Sequence, residues 1–120
     1  MEFSERAKRI AEILDSKKAQ DIVILRVSDM TIISDYFVVA SAPNVPHVQT
    51  LAEEVQMKLR KEEGVSPIRT EGQREGRWVV IDYGDVLVHI FHKEEREFYQ
   101  LERLWKVEGN FCDYSKEHGE

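Results

Sequence analysis

Trp78-Val79-Val80-Ile81-Asp82-Tyr83-Gly84-Asp85-Val86-Leu87-Val88-His89-Ile90-Phe91 is two runs of β-branched and aromatic residues joined by a Gly-Asp pair. The pattern predicts a β-hairpin, with strands Trp78 to Tyr83 and Val86 to Phe91 around a two-residue turn. With Tyr83 opposite Val86, the strand period of two assigns the faces. Val79, Ile81, Tyr83, Val86, Val88 and Ile90 make an almost wholly apolar face that belongs against a core. Trp78, Val80, Asp82, Leu87, His89 and Phe91 make the other, which mixes large aromatics with an acid and an imidazole. A buried Asp without a partner is costly or titrates to neutral. This second face is therefore either half open to water or covered by something that satisfies Asp82 and His89. Aromatics beside charges are typical of protein–protein hot spots. Spacing alone slightly favours the plainer alternative, a covering helix or tail with internal partners. A three-residue turn would mix the two faces.

Working outward, a helix is expected over about Glu94 to Trp105, with Phe98, Leu101, Leu104 and Trp105 as its apolar side. Its Glu94, Glu95, Glu97, Arg96, Glu102 and Arg103 read as a solvated face with some intrahelical ion pairs. Upstream, Phe3, Ala7, Ile10, Ala11 and Leu14 share one face of a helix from about Glu5 to Lys17, capped by Ser4. Strands follow at Ile22 to Val27 and Tyr36 to Ser41. A second helix begins at Asn44 with Pro46 in its first turn, buries Val48, Leu51, Ala52, Val55 and Leu59, and ends at Gly64. A short strand near Ile68, beside Pro67, belongs at a sheet edge. The order α-β-β-α-β-β-β-α implies an α/β fold, a mixed sheet of about five strands with helical cover. One domain is expected over residues 1–105. Residues 106–120 are expected as a mobile C-terminal tail, with Phe111 and Tyr114 tacked onto the body.

The chain has 120 residues, 42% of them hydrophobic, enough for one modest core. Its 23 acidic and 17 basic side chains give a formal charge of -6. Phosphate-driven nucleic-acid binding rests on Lys and Arg, so this balance better suits a basic protein partner. No direct specific nucleic-acid binding is expected. The single Cys112 excludes an internal disulfide. No apolar stretch approaches the roughly 20 residues that span a bilayer, and no signal segment is apparent. A soluble, cytoplasmic protein is the expectation.

Chemistry finds little purchase. His89 and His92 are three apart and would point to opposite faces of a strand, and no zinc-type spacing exists. Asp85 is simply a turn former. The Gly72 to Gly76 spacing lacks the ending of a phosphate loop. Cys112 beside Asp113 is disfavoured as a nucleophile. No catalytic residue, cofactor or metal is assigned.

The segments Asp35-Tyr36-Phe37-Val38, Glu71-Gly72, Trp78 to Phe91 and Arg96-Glu97-Phe98-Tyr99-Gln100-Leu101-Glu102-Arg103-Leu104-Trp105 resemble the RsfS family of ribosome silencing factors, also called Iojap. The resemblance runs from the first helix to Trp105, and the tail lies outside it. It implies a fold similar to a minimal nucleotidyltransferase core, without known catalysis. It also implies binding to the fourteenth protein of the large ribosomal subunit, which blocks joining of the small subunit and represses translation. Members often form homodimers. Carried over by residue, the partner surface should include Trp78, Asp82, His89 and Phe91, the residues that periodicity puts on the mixed face. Asp85, Tyr99 and Glu102 match motif positions without an assigned role. One departure is Ala42-Pro43-Asn44 in place of a Gly-Thr-Ser-like loop, with Pro46 where the family has an Arg before the retained His47-Val48. The rival readings are a metal-dependent nucleotidyltransferase-like enzyme using Asp82 and Asp85, and a general RNA-binding module.

Overall fold

In the computed structural model, residues 3–118 are described. Helix α1 (Glu5–Ser16) starts where Ser4 accepts the Ala7 N–H at 3.0 Å. Strands β1 (Gln20–Arg26) and β2 (Tyr36–Ala42) follow and pair antiparallel. Helix α2 (Val45–Glu63) is capped by Asn44 and closes at Gly64. Strand β3 (Arg69–Glu71) is an edge strand, as Pro67 implied, and Ile68 lies just outside it. Strands β4 (Trp78–Asp82) and β5 (Val86–His92) form the hairpin. Tyr83 donates its N–H to Val86 O at 3.0 Å, so the turn has two residues and the faces fall as expected. Gly84 takes φ +89 there, a left-handed geometry that costs glycine little.

The sheet order is β3-β4-β5-β2-β1-β6, and only the β2–β5 pair is parallel. Its sixth strand, β6 (Phe111–Asp113), comes from the stretch expected as a tail, and a short helix α5 (Tyr114–Glu117) follows. β6 pairs antiparallel with β1, which otherwise would be an open edge. Tyr114 enters the core, and Ser115 Oγ accepts the buried Ile22 N–H at 2.8 Å. A sheet of six strands rather than about five results.

One face of the sheet carries Val79, Ile81, Tyr83, Val86, Val88 and Ile90 beneath α1 and α2. The charges of α1 and of Lys17 just after it bridge to α2 and the hairpin turn: Arg9 to Glu62, Lys17 to Glu54, Arg6 to Glu63 and Asp85. The opposite face holds a second cluster of Val23, Leu25, Val27, Phe37, Val39 and Phe91. It lies under what was expected as one closing helix. The structure has two, α3 (Lys93–Tyr99) and α4 (Leu101–Trp105), broken at Gln100, whose φ is +50. The break turns Leu101 and Trp105 onto the second cluster and leaves Phe98 and Leu104 in water.

Candidate functional site, the aromatic face of the sheet

The site grows from the hairpin register. Trp78 opposes Phe91, Val80 opposes His89 and Asp82 opposes Leu87, so all six side chains share one face. The parallel neighbour β2 brings Phe37 beside Leu87 and Val39 beside His89. Gly72 positions the start of β4. With φ +79, it would bring a Cβ to 2.1 Å from Trp78 O, so only glycine lets the turn approach this closely.

Trp78 is the hub. Its ring lies 4.7 Å from Phe91 in a stacked arrangement and 4.9 Å from Tyr99. Its indole Nε1 donates to His89 Nδ1 at 3.1 Å. An accepting Nδ1 puts the imidazole proton on Nε2, which is buried and has no partner among the described residues. Burial pushes the His89 pKa down to about 4, so the ring is neutral near pH 7. Phe37 packs edge-on against His89 at 5.0 Å and against Trp105 at 5.2 Å. Asp82 accepts the Gly84 N–H at 2.8 Å and lies 3.5 Å from Arg69. The structure combines the two alternatives: His89 and Phe91 are covered, and Asp82 and one side of His89 have internal partners, while Trp78, Val80, Asp82 and Leu87 stay partly exposed.

The four residues expected at a partner surface therefore sit at two depths. Phe91 is fully buried and His89 is 5% exposed, while Trp78 and Asp82 are partly exposed. On α3 and α4 large side chains stay in the open: Phe98, Tyr99 and Leu104 are 79%, 49% and 74% exposed, with Tyr99 against Trp78 and Phe98 against Tyr99. Arg77, just before β4, pairs with Glu94 and Glu95 and so ties α3 to the hairpin. The guanidinium holds the Glu95 carboxyl below its ordinary pKa. Helical spacing puts Phe98 and Leu104 on the apolar side of one continuous helix because nothing local marks Gln100 as a break.

Other chemistry stays dispersed. Asp85 pairs with Arg6 at 2.8 Å and is not joined to Asp82. His92 caps α3 by accepting the Glu94 N–H at 3.1 Å, apart from the buried His89. His92, Glu94 and Glu95 have donor atoms within 4.8 Å of one another, but Arg77 already occupies both carboxylates. Burial, with Glu117 close by, pushes the Cys112 thiol up to about 11, which suits an inert thiol. No helix among the described residues is long and apolar enough to cross a membrane.

Comparison with known proteins gives a consistent result. The model of the RsfS family, "Ribosomal silencing factor during starvation", matches residues 1–118, so the match extends through β6 and α5. The ribosomal silencing factor RsfS of Halalkalibacterium halodurans is 39% identical over 105 residues, covering 88% of this chain and 89% of that protein. A crystal structure from Chromobacterium violaceum superposes with a TM-score of 0.81 at 37% identity, over 92% of each chain. A mouse protein named "Mitochondrial assembly of ribosomal large subunit protein 1" is 28% identical over 82% of this chain and 44% of its own length. The chain belongs to the RsfS family of ribosomal silencing factors, regulators of translation.

Proposed function

We propose that this protein represses translation in the cytoplasm by binding the large ribosomal subunit through its fourteenth protein, so that the small subunit cannot join. The observation that carries the reading is the exposed pair Phe98 and Tyr99 on α3, with Tyr99 packed on Trp78, beside an α4 that leaves Leu104 exposed as well. Exposed apolar patches of this kind mark interaction sites. The mouse relative's printed name supports the large subunit as the partner. Trp78 and Tyr99 would supply the contact, with Phe91 and His89 holding the indole from beneath. Asp82 and the overall charge of -6 suit a basic ribosomal protein. No observation favours the nucleotidyltransferase reading, since Asp82 and Asp85 are each engaged by neighbours.

The test is co-sedimentation with separated ribosomal subunits. The protein should travel with the large subunit and reduce joined ribosomes when the small one is added. Phe98→Ser and Trp78→Ala should each weaken binding by ~2 kcal/mol or more, as hot-spot aromatics do. Folded variants with unchanged affinity would remove this surface from the reading. A protein that stays at the top of the gradient would remove the ribosomal reading itself.

A further inference from the structure

β2 and β5 are parallel neighbours, yet the helices that follow them leave on opposite faces, α2 toward α1 and α3 toward the aromatic cluster. An open α/β sheet has its crevice at such a switch point, beyond the carboxyl ends of the strands. Here that place is a cleft of about 800 Å³, reached by Ser41 at the end of β2 and by Lys93 and Arg96 from α3. Asp21, Arg96 and Asp113 also line an adjoining hollow of about 320 Å³.

Arg96 is the built element of this cleft. It is 8% exposed, not the solvated side chain its helix pattern suggested. Its Nε and Nη2 both reach Glu102 Oε2 at 3.1 Å, and Nη1 donates to Ser41 Oγ at 3.3 Å. A guanidinium has five N–H donors, so donors remain without a partner among the described residues. Glu102 Oε1, in the adjoining hollow, is buried and also unpartnered.

The rim is charged in both senses. Lys18, Lys93 and Lys116 line the cleft together with Asp15, Asp21, Glu97 and Asp113. None of these seven forms an ion pair among the described residues, whereas Arg6, Arg9, Lys17, Arg69 and Arg77 all do. With Arg96, the larger cleft carries four cations and four carboxylates. A lone anion or cation would meet as much repulsion as attraction there. A ligand bearing both signs a few atoms apart would not.

We infer that this cleft binds a small zwitterion of the α-amino-acid class. The ligand carboxylate sits on the spare donors of Arg96 and the adjacent lysines, and its ammonium on Asp21 and Asp113. The volume leaves room for a side chain, which would set the choice among amino acids. The inference goes beyond the ribosomal reading and does not depend on it.

The experiment is titration of isotope-labelled full-length protein with each proteinogenic amino acid, followed by amide chemical shifts. Free amino acids should give saturable shifts at millimolar concentration or below, centred on Gln20, Asp21, Ser41, Lys93 and Ser115. N-acetyl amino acids, amino-acid amides, acetate and inorganic phosphate should bind at least tenfold more weakly. Lys93→Gln and Asp21→Asn should each reduce affinity about tenfold, and asparagine tolerates the φ of +50 at position 21. No saturable shift with any amino acid would overturn the inference. Equal binding of acetate, phosphate or the blocked derivatives would also overturn it, as would variants that bind like the parent.

Discussion

His89 should make this protein lose stability on mild acidification, and His89→Leu should remove that share of the loss. In the folded chain the imidazole is 5% exposed, accepts from the Trp78 indole, and has its pKa lowered from 6.5 to about 4 by burial. In the unfolded chain it titrates near its ordinary value of about 6.5. Between these two values the unfolded state binds more protons, so stability falls as pH falls. The contribution is fully present above about pH 6.5 and exhausted below about pH 4. The whole difference amounts to about 3 kcal/mol, of which about 2 kcal/mol is already lost at about pH 5. Protonation also turns Nδ1 into a donor facing the indole N–H, which breaks the bond to Trp78. His89→Leu removes the titration and leaves the indole without its acceptor. That is a constant offset, since indole does not titrate in this range. The assay is urea unfolding of both proteins from about pH 8 to about pH 4.5, with the two stabilities subtracted at each pH. The difference should shrink by about 2.5 kcal/mol toward the acid end. Parallel curves would show that His89 is not held neutral by burial, and the account of the aromatic face would fail with it.

Two further outcomes follow from the packing. Ending the chain at Trp105 should cost ~2.5–6 kcal/mol. It removes the burial of Tyr114, worth ~1.5–3 kcal/mol, and leaves the Ile22 N–H without Ser115, worth ~1–3 kcal/mol. An unchanged melting temperature would instead support a dispensable tail. Gly72→Ala and Gly64→Ala both place a Cβ at positive φ, but the first meets Trp78 O at 2.1 Å and the second meets nothing within 4 Å. Gly64→Ala should cost about 1 kcal/mol, and Gly72→Ala at least ~2 kcal/mol more. Equal midpoints in urea would mean that the turn at Gly72 relaxes freely.

The hairpin and the two long helices were legible because their information is local. A period of two fixes Val79 to Ile90 as the core face, and Ser4, Asn44 and Gly64 punctuate α1 and α2. What was not legible depends on distant partners. The parallel pairing of Tyr36–Ala42 with Val86–His92 leaves no mark in either strand. β6 has three residues and exists because β1 offers it an edge. Gln100 breaks the closing helix without a glycine or proline to announce it. The site was half readable for the same reason. Alternation put Trp78, Asp82, His89 and Phe91 on one face, but how deeply each is covered was set by the path of α3 and α4. Arg96 looked solvated because its partner Glu102 lies beyond the break and Ser41 lies on another strand.

The break at Gln100 has an energetic consequence for the surface. A straight helix over residues 94–105 would carry Phe98, Leu101, Leu104 and Trp105 on one stripe, and all four could bury together. The bend divides them, sending Leu101 and Trp105 to the second cluster and leaving Phe98 and Leu104 in water. Each large apolar side chain left exposed forgoes ~1.5–3 kcal/mol of burial. A backbone at φ +50 on a non-glycine residue adds a further cost. Both costs are incurred on α3 and α4, where Tyr99 packs at a tilt against a Trp78 that His89 and Phe91 hold from below. Covering Phe98 and Leu104 with a partner recovers the forgone burial without moving the layer beneath. Binding energy is then concentrated in the outer layer, and the inner residues act by keeping Trp78 and Tyr99 in place. On this argument Phe98→Ser weakens partner binding without unfolding the chain, while Phe91→Ala unfolds before it weakens anything.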